Sequence, residues 1–360
     1  MKKVLIFLLI IIIVAISIIA LYRFKNKEET NSRNFSNTTL NNSGTSGTNN
    51  AVQNDTYTQK LIDQVKTGGS TTGKGTALKI DVSGTIRDYI LYLPPNFNKL
   101  EKLPLVFELH GGEGDMNKMQ NYSNFNDIAS KHGFAVVYPN SLDGNWNDGR
   151  LNQADIKNKL GDDVGFISSL IDSLVQNAKI DPDKVYATGI SNGGFMTQKL
   201  ACDIGNKLTA IGPIATAVPT NYVTDCKPAK PIPIIWFQGT TDPLIPFNGG
   251  DLVTKSLFGN STRKGTVLSS QDSLKFWMDN NGVSGSPVIT QLTDLDKNDS
   301  SDITHFSYSS SRNAPIEFYK VNGGGHSVPG LIQYLPKIII GNVNGDVKAE
   351  ELIWQFFQQY

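Results

Sequence analysis

The run Gly189-Ile190-Ser191-Asn192-Gly193 joins an apolar stretch, Lys184-Val185-Tyr186-Ala187-Thr188, to a helical pattern from Met196 to Ala201. A five-residue link between a buried strand and a helix must turn sharply, and such a turn has no room for side chains beside its central residue. Glycines two positions either side of Ser191 meet that demand. The turn pushes the serine hydroxyl out at the carboxyl end of a sheet, and the helix that follows aims backbone N–H groups at the same point. With 33 glycines in the chain, the G-x-S-x-G pattern alone is also what an ordinary turn would give. The strand-turn-helix setting makes Ser191 a candidate nucleophile.

Around this unit, apolar strands alternate with helical patterns, from Tyr89-Ile90-Leu91-Tyr92-Leu93 to an amphipathic helix over Val347–Phe357. That alternation implies an α/β class with a mostly parallel sheet covered by helices on both faces. Residues 76–360 suffice for one such domain with a sizeable core, and nothing marks a second.

A serine hydroxyl needs a histidine to take its proton, and the histidine needs a carboxylate to fix its tautomer. There are four histidines. His132, in Ser130-Lys131-His132-Gly133-Phe134, reads as a helix C-terminus, and His305 falls in a polar, serine-rich stretch where solvation is expected. His110 ends the apolar strand Leu103–Leu109 and precedes Gly111-Gly112. His326 sits in Gly323-Gly324-Gly325-His326-Ser327-Val328-Pro329-Gly330, whose glycines let backbone segments approach closely, and it is the better base. For the acid, the apolar run Ile232–Phe237 leads through Gln238-Gly239-Thr240-Thr241 to Asp242-Pro243, on the rim where open α/β sheets carry their sites. Asp242 also suits a simple Asx turn before proline. The order Ser191, Asp242, His326 is that of α/β-hydrolase triads, unlike the orders on chymotrypsin-like and subtilisin-like folds.

Several segments taken in order resemble the secreted esterases that include short-chain polyhydroxybutyrate depolymerases, feruloyl esterases and acetylxylan esterases. They are Leu109-His110-Gly111, His132-Gly133-Phe134 leading to Tyr138-Pro139, Asp162-Asp163-Val164-Gly165-Phe166 and Asp181-Pro182-Asp183-Lys184-Val185-Tyr186. The elbow follows, then Gly239-Thr240 through Asp242 to Pro246-Phe247-Asn248-Gly249-Gly250, the His326 loop and Ile353-Trp354-Gln355-Phe356-Phe357. The resemblance covers about residues 76–360. It implies an α/β-hydrolase fold and ester hydrolysis through an acyl-enzyme, with backbone N–H groups of Asn192 and Gly112 as oxyanion donors. The chain departs from the family pattern at Gln238, where His-Gly is usual, at Val328, where tryptophan commonly follows the histidine, and at Gly112, where cysteine is frequent. These departures bear on the substrate more than on the reaction. His110, Trp146, Gln238 and Val328 are accordingly candidate substrate contacts, with His110 read mainly as a loop-shaping residue.

Trp146 lies in a polar loop, Asp143-Gly144-Asn145-Trp146-Asn147-Asp148-Gly149, where it either stacks on a sugar or aromatic acid or anchors the loop. Asp162-Asp163 suits the N-terminus of a helix starting near Val164, with a catalytic carboxylate as the alternative. Cys202 and Cys226 could pair in an extracytoplasmic setting. No Cys/His cluster has metal-ligand spacing and no Walker or Rossmann loop occurs, so neither metal nor cofactor is expected. The formal net charge is zero and the domain lacks a basic run, which disfavours nucleic acid as a partner.

Lys2-Lys3 precedes an unbroken apolar run of 19 residues, Val4–Tyr22. At ~1.5 Å per residue it nearly matches a hydrocarbon core of ~30 Å, so residues 1–27 are expected to form a signal anchor, with a cleaved signal peptide as the alternative. Flanking charges balance and set no orientation. Residues 28–75 are rich in Asn, Ser, Thr and Gly and read as a flexible linker with at most a short helix over Tyr57–Val65. The expected protein is an extracytoplasmic serine ester hydrolase, membrane-anchored by residues 4–22 or secreted, acting on polyhydroxyalkanoate oligomers or on feruloyl or acetyl esters of polysaccharide. A serine peptidase or amidase on the same fold and an inactive surface binding module stay open as alternatives. Acyl specificity would lie in loops 112–125, 141–160 and 244–265.

Overall fold

Short apolar runs buried along nearly their whole length form the centre of the sheet, and their alternate residues feed cores on its two faces. The computed structural model describes residues 48–70, 73–151, 161–255 and 261–360. The expected membrane segment 4–22 and the linker up to residue 47 lie outside the described residues, as do 152–160 and 256–260 of the specificity loops. Among the described residues no helix is long and apolar enough to cross a membrane.

The strands are β1 (Thr76–Val82), β2 (Thr85–Tyr92), β3 (Leu103–Leu109), β4 (Ala135–Pro139), β5 (Ile180–Ile190), β6 (Ala210–Ile214), β7 (Ile234–Gly239), β8 (Gly250–Lys255), β9 (Ser261–Val267), β10 (Val288–Gln291), β11 (Asp302–Tyr308) and β12 (Ile316–Asn322). Ten of them make one sheet in the order β1-β2-β4-β3-β5-β6-β7-β12-β11-β10, while β8 and β9 form a separate hairpin. The six central strands, β4 to β12 in that order, are parallel, and antiparallel strands complete both edges. This mostly parallel centre with helices on both faces fits an α/β-hydrolase.

The helices are α1 (Thr48–Thr67), α2 (Met116–Tyr122), α3 (Phe125–His132), α4 (Asp163–Asn177), α5 (Asn192–Ile204), α6 (Tyr222–Asp225), α7 (Ser270–Asn281), α8 (Lys337–Ile340) and α9 (Ala349–Phe357). Leu103, Leu105, Phe107 and Leu109 of β3 face one core with Phe166 and Leu170 of α4, Leu200 of α5 and Trp277 of α7. Val106 of the same strand faces the other core, with Phe125 of α3 and with Ile353, Trp354 and Phe357 of α9. The in-out alternation of a strand thus buries both faces of the sheet.

Two expectations change here. Where a linker with at most a short helix was expected, α1 runs from Thr48 to Thr67, because Leu61 reaches the core with Val65 packed beside it and Ser70 N–H donates to Leu93 O. His305 is not in a solvated coil. It lies on β11, stacks on Tyr319 with ring centroids 4.3 Å apart and reaches Glu317 Oε2 at 2.6 Å, because the antiparallel pairing with β12 aligns these side chains.

Candidate active site

The carboxyl ends of β3, β5, β7 and β12 come together on one edge of the sheet, and the candidate residues follow them directly. Ser191 follows β5 at φ 58° and ψ −121°, a conformation that ordinary side chains avoid and a tight elbow imposes. Ser191 N–H donates to Ile214 O at 3.0 Å, while Ser191 O accepts from Phe195 N and starts α5. The flanking glycines are needed because β3 passes close by. A Cβ on Gly189 or Gly193 would collide with the carbonyl of Leu109.

Asp242 stands past the end of β7 and His326 past the end of β12, both buried. His326 Nδ1 lies 2.8 Å from Asp242 Oδ2. The other carboxylate oxygen, Oδ1, accepts from Leu244 N and Ile245 N at 2.8 Å each, so the Asx turn and the histidine contact coexist on one side chain. An acceptor at Nδ1 fixes the tautomer with hydrogen on that nitrogen and leaves Nε2 with its lone pair. His326 N–H donates to Ile340 O and Gly325 N–H to Asn342 O, so the close approach of Gly325 to Gly341 seats the histidine loop on the chain that returns from α8.

The elbow's other flank is a buried web of hydrogen bonds. Asn192 Oδ1 accepts from Trp146 N at 2.7 Å, and Asn192 Nδ2 donates to Trp146 O at 3.2 Å and to Asp148 Oδ2 at 2.5 Å. Asp148 also accepts from Arg150 Nε at 2.7 Å, its backbone carbonyl accepts from Tyr222 Oη, and the Arg150 guanidinium stacks on Phe195. Trp146 Nε1 donates to His110 O at 2.9 Å. Gly112 borders this web, with room for a Cβ only 3.1 Å from Asn145 Oδ1 and 3.8 Å from Asn192 Cβ.

The candidate substrate contacts His110, Trp146, Gln238 and Val328 are each at most 1% exposed, which agrees with the loop-shaping reading of His110 and the loop-anchoring reading of Trp146 and sets Gln238 and Val328 below the open rim. His110 accepts at Nε2 from Ser141 N and therefore donates from Nδ1 to Gly111 O at 2.8 Å, and burial lowers its pKa, which keeps it neutral. It shapes its loop. Trp146 anchors the loop to that histidine and does not present a stacking face. Gln238 donates to Ile245 O at 3.3 Å, bracing the turn that carries Asp242, and Val328 is core.

Asp162 caps α4 by accepting from Gly165 N at 2.8 Å. Asp163 is paired with Arg87 in a buried ion pair and accepts from Asn147 N at 2.7 Å, so its carboxylate serves the loop and is not a spare acid. Burial pushes its pKa up, against the pull of the Asn147 hydrogen bond and the Arg87 charge. His132 ends α3 with Gly133 at φ 80° and reaches Glu351 Oε1 at 3.2 Å. Cys202 of α5 and Cys226 after α6 are joined in a disulfide. Asp148, Arg87 and Tyr222 join the site through contacts that no local spacing in the sequence encodes. The only hint was that Asp148 sits two residues from Trp146. Among the described residues no cluster of three or more His, Cys, Asp or Glu could hold a metal.

Comparison with known proteins bears on this half of the site. The chain is 33% identical over 175 residues to NocK of Nocardia uniformis subsp. tsuyamanensis, whose assigned name is an esterase, covering 48% of this chain and 50% of that protein. It is 28% identical over 207 residues to feruloyl esterase B of Piromyces equi, covering 56% and 37% respectively. It is 30% identical over 164 residues to a bifunctional acetylxylan esterase/xylanase of Neocallimastix patriciarum, covering 46% and 22%. The chain thus spans half or less of the length of these relatives. Among solved structures, an acetyl xylan esterase from Aspergillus awamori superposes with a TM-score of 0.49 at 16% identity, covering 71% of this chain and 95% of that one. Residues 87–222, from β2 to α6, match the family model described as Esterase PHB depolymerase, so that part of the chain is similar to these esterases.

Proposed function

We propose that the protein is a serine carboxylic ester hydrolase in which Ser191 attacks the ester carbonyl, His326 Nε2 takes its proton and Asp242 stabilises the imidazolium. The tetrahedral oxyanion is held by the backbone N–H groups of Asn192 and Gly112. The alcohol leaves with a proton from His326, and water repeats the sequence on the acyl-enzyme. The observation that carries this reading is the buried His326–Asp242 contact on the same sheet edge as the strained Ser191 elbow. The related feruloyl and acetylxylan esterases support an ester substrate, with polyhydroxyalkanoate oligomers and feruloyl or acetyl polysaccharide as the classes to test, and the apolar run Val4–Tyr22 supports an extracytoplasmic location. The domain plan consistent with this role is an anchor over 1–27, a linker and a catalytic domain reaching Tyr360.

The test is hydrolysis of p-nitrophenyl acetate, methyl ferulate, acetylated xylan and 3-hydroxybutyrate oligomers by the full chain, with Ser191→Ala beside it. Turnover of at least one ester, lost in the alanine variant by a factor of about 10⁴ or more, is expected. Equal turnover by both proteins overturns the triad. No turnover together with no labelling by a serine-reactive phosphonate moves the binding-module reading forward.

A further inference from the structure

The segment between His326 and the end of α8 faces water with several aliphatic side chains. Ile332 is 72% exposed and Ile338 92%, with Leu335 and Ile339 also exposed. The loop is tied to the catalytic histidine at both ends and in its middle. His326 N–H donates to Ile340 O at 2.5 Å, Tyr334 Oη donates to His326 O at 3.1 Å, and Gly341 packs on Gly325 and near Thr241 O, one residue before Asp242. From His326 to Gly345 there is no Asp or Glu, and Lys337 is the one Lys or Arg. Polar donors and acceptors suited to a hydrated polysaccharide are scarce along the exposed tip. Isolated exposed aliphatics are ordinary, but a contiguous set on the rim of a reactive site is not.

We propose that this loop, residues 331–339, inserts into the surface of a lipid bilayer, so that the esters reaching Ser191 are carried in that bilayer. Aliphatic tips beside a lysine form the pattern that enters the interface with the ammonium at headgroup level. The segment itself carries no carboxylate, while Asp296 and Asp299 line a hollow beside Leu331, Gln333 and Lys337, so the aliphatic tips rather than charge carry the insertion. The sequence supplies the bilayer as the occupant, since the apolar run Val4–Tyr22 is long enough to enter one and only residues 23–47 separate it from the first described helix. The inference rests on the serine esterase reading and on that reading of the amino terminus. It names the phase in which the substrate is presented.

Two readouts test it, one of them independent of catalysis. Trp146, Trp236, Trp277 and Trp354 are all buried away from a bilayer quencher, so the quenchable part of the emission comes from a tryptophan introduced by Ile338→Trp, read as the difference from the unsubstituted protein. With the full chain in phosphatidylcholine/phosphatidylglycerol vesicles carrying brominated acyl chains, its emission is expected to be quenched, and unquenched emission overturns the proposal. In the same vesicles, Ile332→Ser/Ile338→Ser is expected to lower hydrolysis of a bilayer-borne fatty acyl ester about tenfold or more while leaving water-soluble p-nitrophenyl acetate within about twofold. The control Val288→Ser/Ile289→Ser removes another exposed apolar pair, from the edge strand β10, and should change neither. A loss shared by both pairs, or a loss seen on polyhydroxybutyrate particles but not on vesicles, overturns it. Quenching in a protein that cleaves no ester would retain the membrane surface and remove the esterase reading, so the two failures are distinct.

Discussion

The two flanks of Ser191 are built differently. On one side, the loops after β3 and β4 are buried and cross-bonded, with His110, Trp146, Asn192 and Asp148 each holding another. On the other side, the His326 loop is held to the histidine through Ile340 O and the Tyr334 hydroxyl, yet it presents exposed aliphatic side chains to solvent. Oxyanion donors must stay fixed while charge develops, because reorganising them during the reaction would cancel their benefit. What selects or receives a substrate has no such requirement. The difference teaches that rigidity here is local, concentrated where charge would form.

The strongest way to break the comparison lies where the flanks meet. Asp242→Asn retains two acceptor contacts with Leu244 N and Ile245 N but presents an amide to His326 Nδ1, favouring the wrong tautomer. Turnover is expected to fall about 10³–10⁴-fold with little change in thermal midpoint, measured by steady-state kinetics beside a melting curve. A loss below tenfold would mean that the carboxylate is only a turn former.

The disulfide sharpens the contrast by belonging to the rigid flank. It joins α5, which begins at the elbow, to the chain after α6, whose Tyr222 holds the Asp148 carbonyl. Closing a loop of 24-residue separation contributes about 3 kcal/mol in the chain-entropy account, so Cys202→Ser/Cys226→Ser should lower the thermal midpoint by several degrees. The bilayer behaviour of the 331–339 loop should be untouched, and altered vesicle quenching in that variant would show that the flanks are not independent.

Asp148→Ala leaves Asn192 Nδ2 with Trp146 O alone and frees Arg150. Asp148 is a positioning residue, so kcat is expected to fall about 10- to 100-fold with KM changed much less, and Asp148→Asn should recover part of the loss. An equal fall in stability with no kcat effect would assign it a structural role only.

The smallest effect concerns the core behind α9. Glu108 and Glu350 are both buried, and neither oxygen of Glu108 has a hydrogen-bond partner among the described residues, while Glu350 Oε2 accepts from Asn124 N at 2.8 Å. Burial pushes the pKa of Glu108 well up, with the Glu350 charge adding to it, and raises Glu350 from 4.5 to about 7. A raised folded-state pKa of an acid means that the folded protein keeps protons the unfolded chain releases. Stability is therefore full below about pH 4.5 and declines as pH rises through about 7. Glu350→Gln cannot titrate, so its melting temperature should fall less between pH 5 and pH 8 than that of the wild type. The difference should be on the order of 2 kcal/mol or less. Parallel curves would refute the assignment.

What could be read from the chain was whatever a local pattern encodes. The strand before Ser191, the glycines around it, the helix after it and the alternation of apolar strands with helices follow from side-chain periodicity and backbone sterics within a few residues. The order of Ser191, Asp242 and His326 could likewise be read, because chain order survives folding. Only the tertiary structure decided which polar side chains meet. Trp146 and Gln238 looked like residues of an open rim, yet both are buried, since burial depends on what distant segments pack over them. Asp148 met Asn192, and Arg87 met Asp163, across separations no local spacing records. The same holds for Ile332 and Ile338. Both face water where their loop packs beside His326, because a hydrophobic residue is drawn inward only when the chain around it offers an interior to enter.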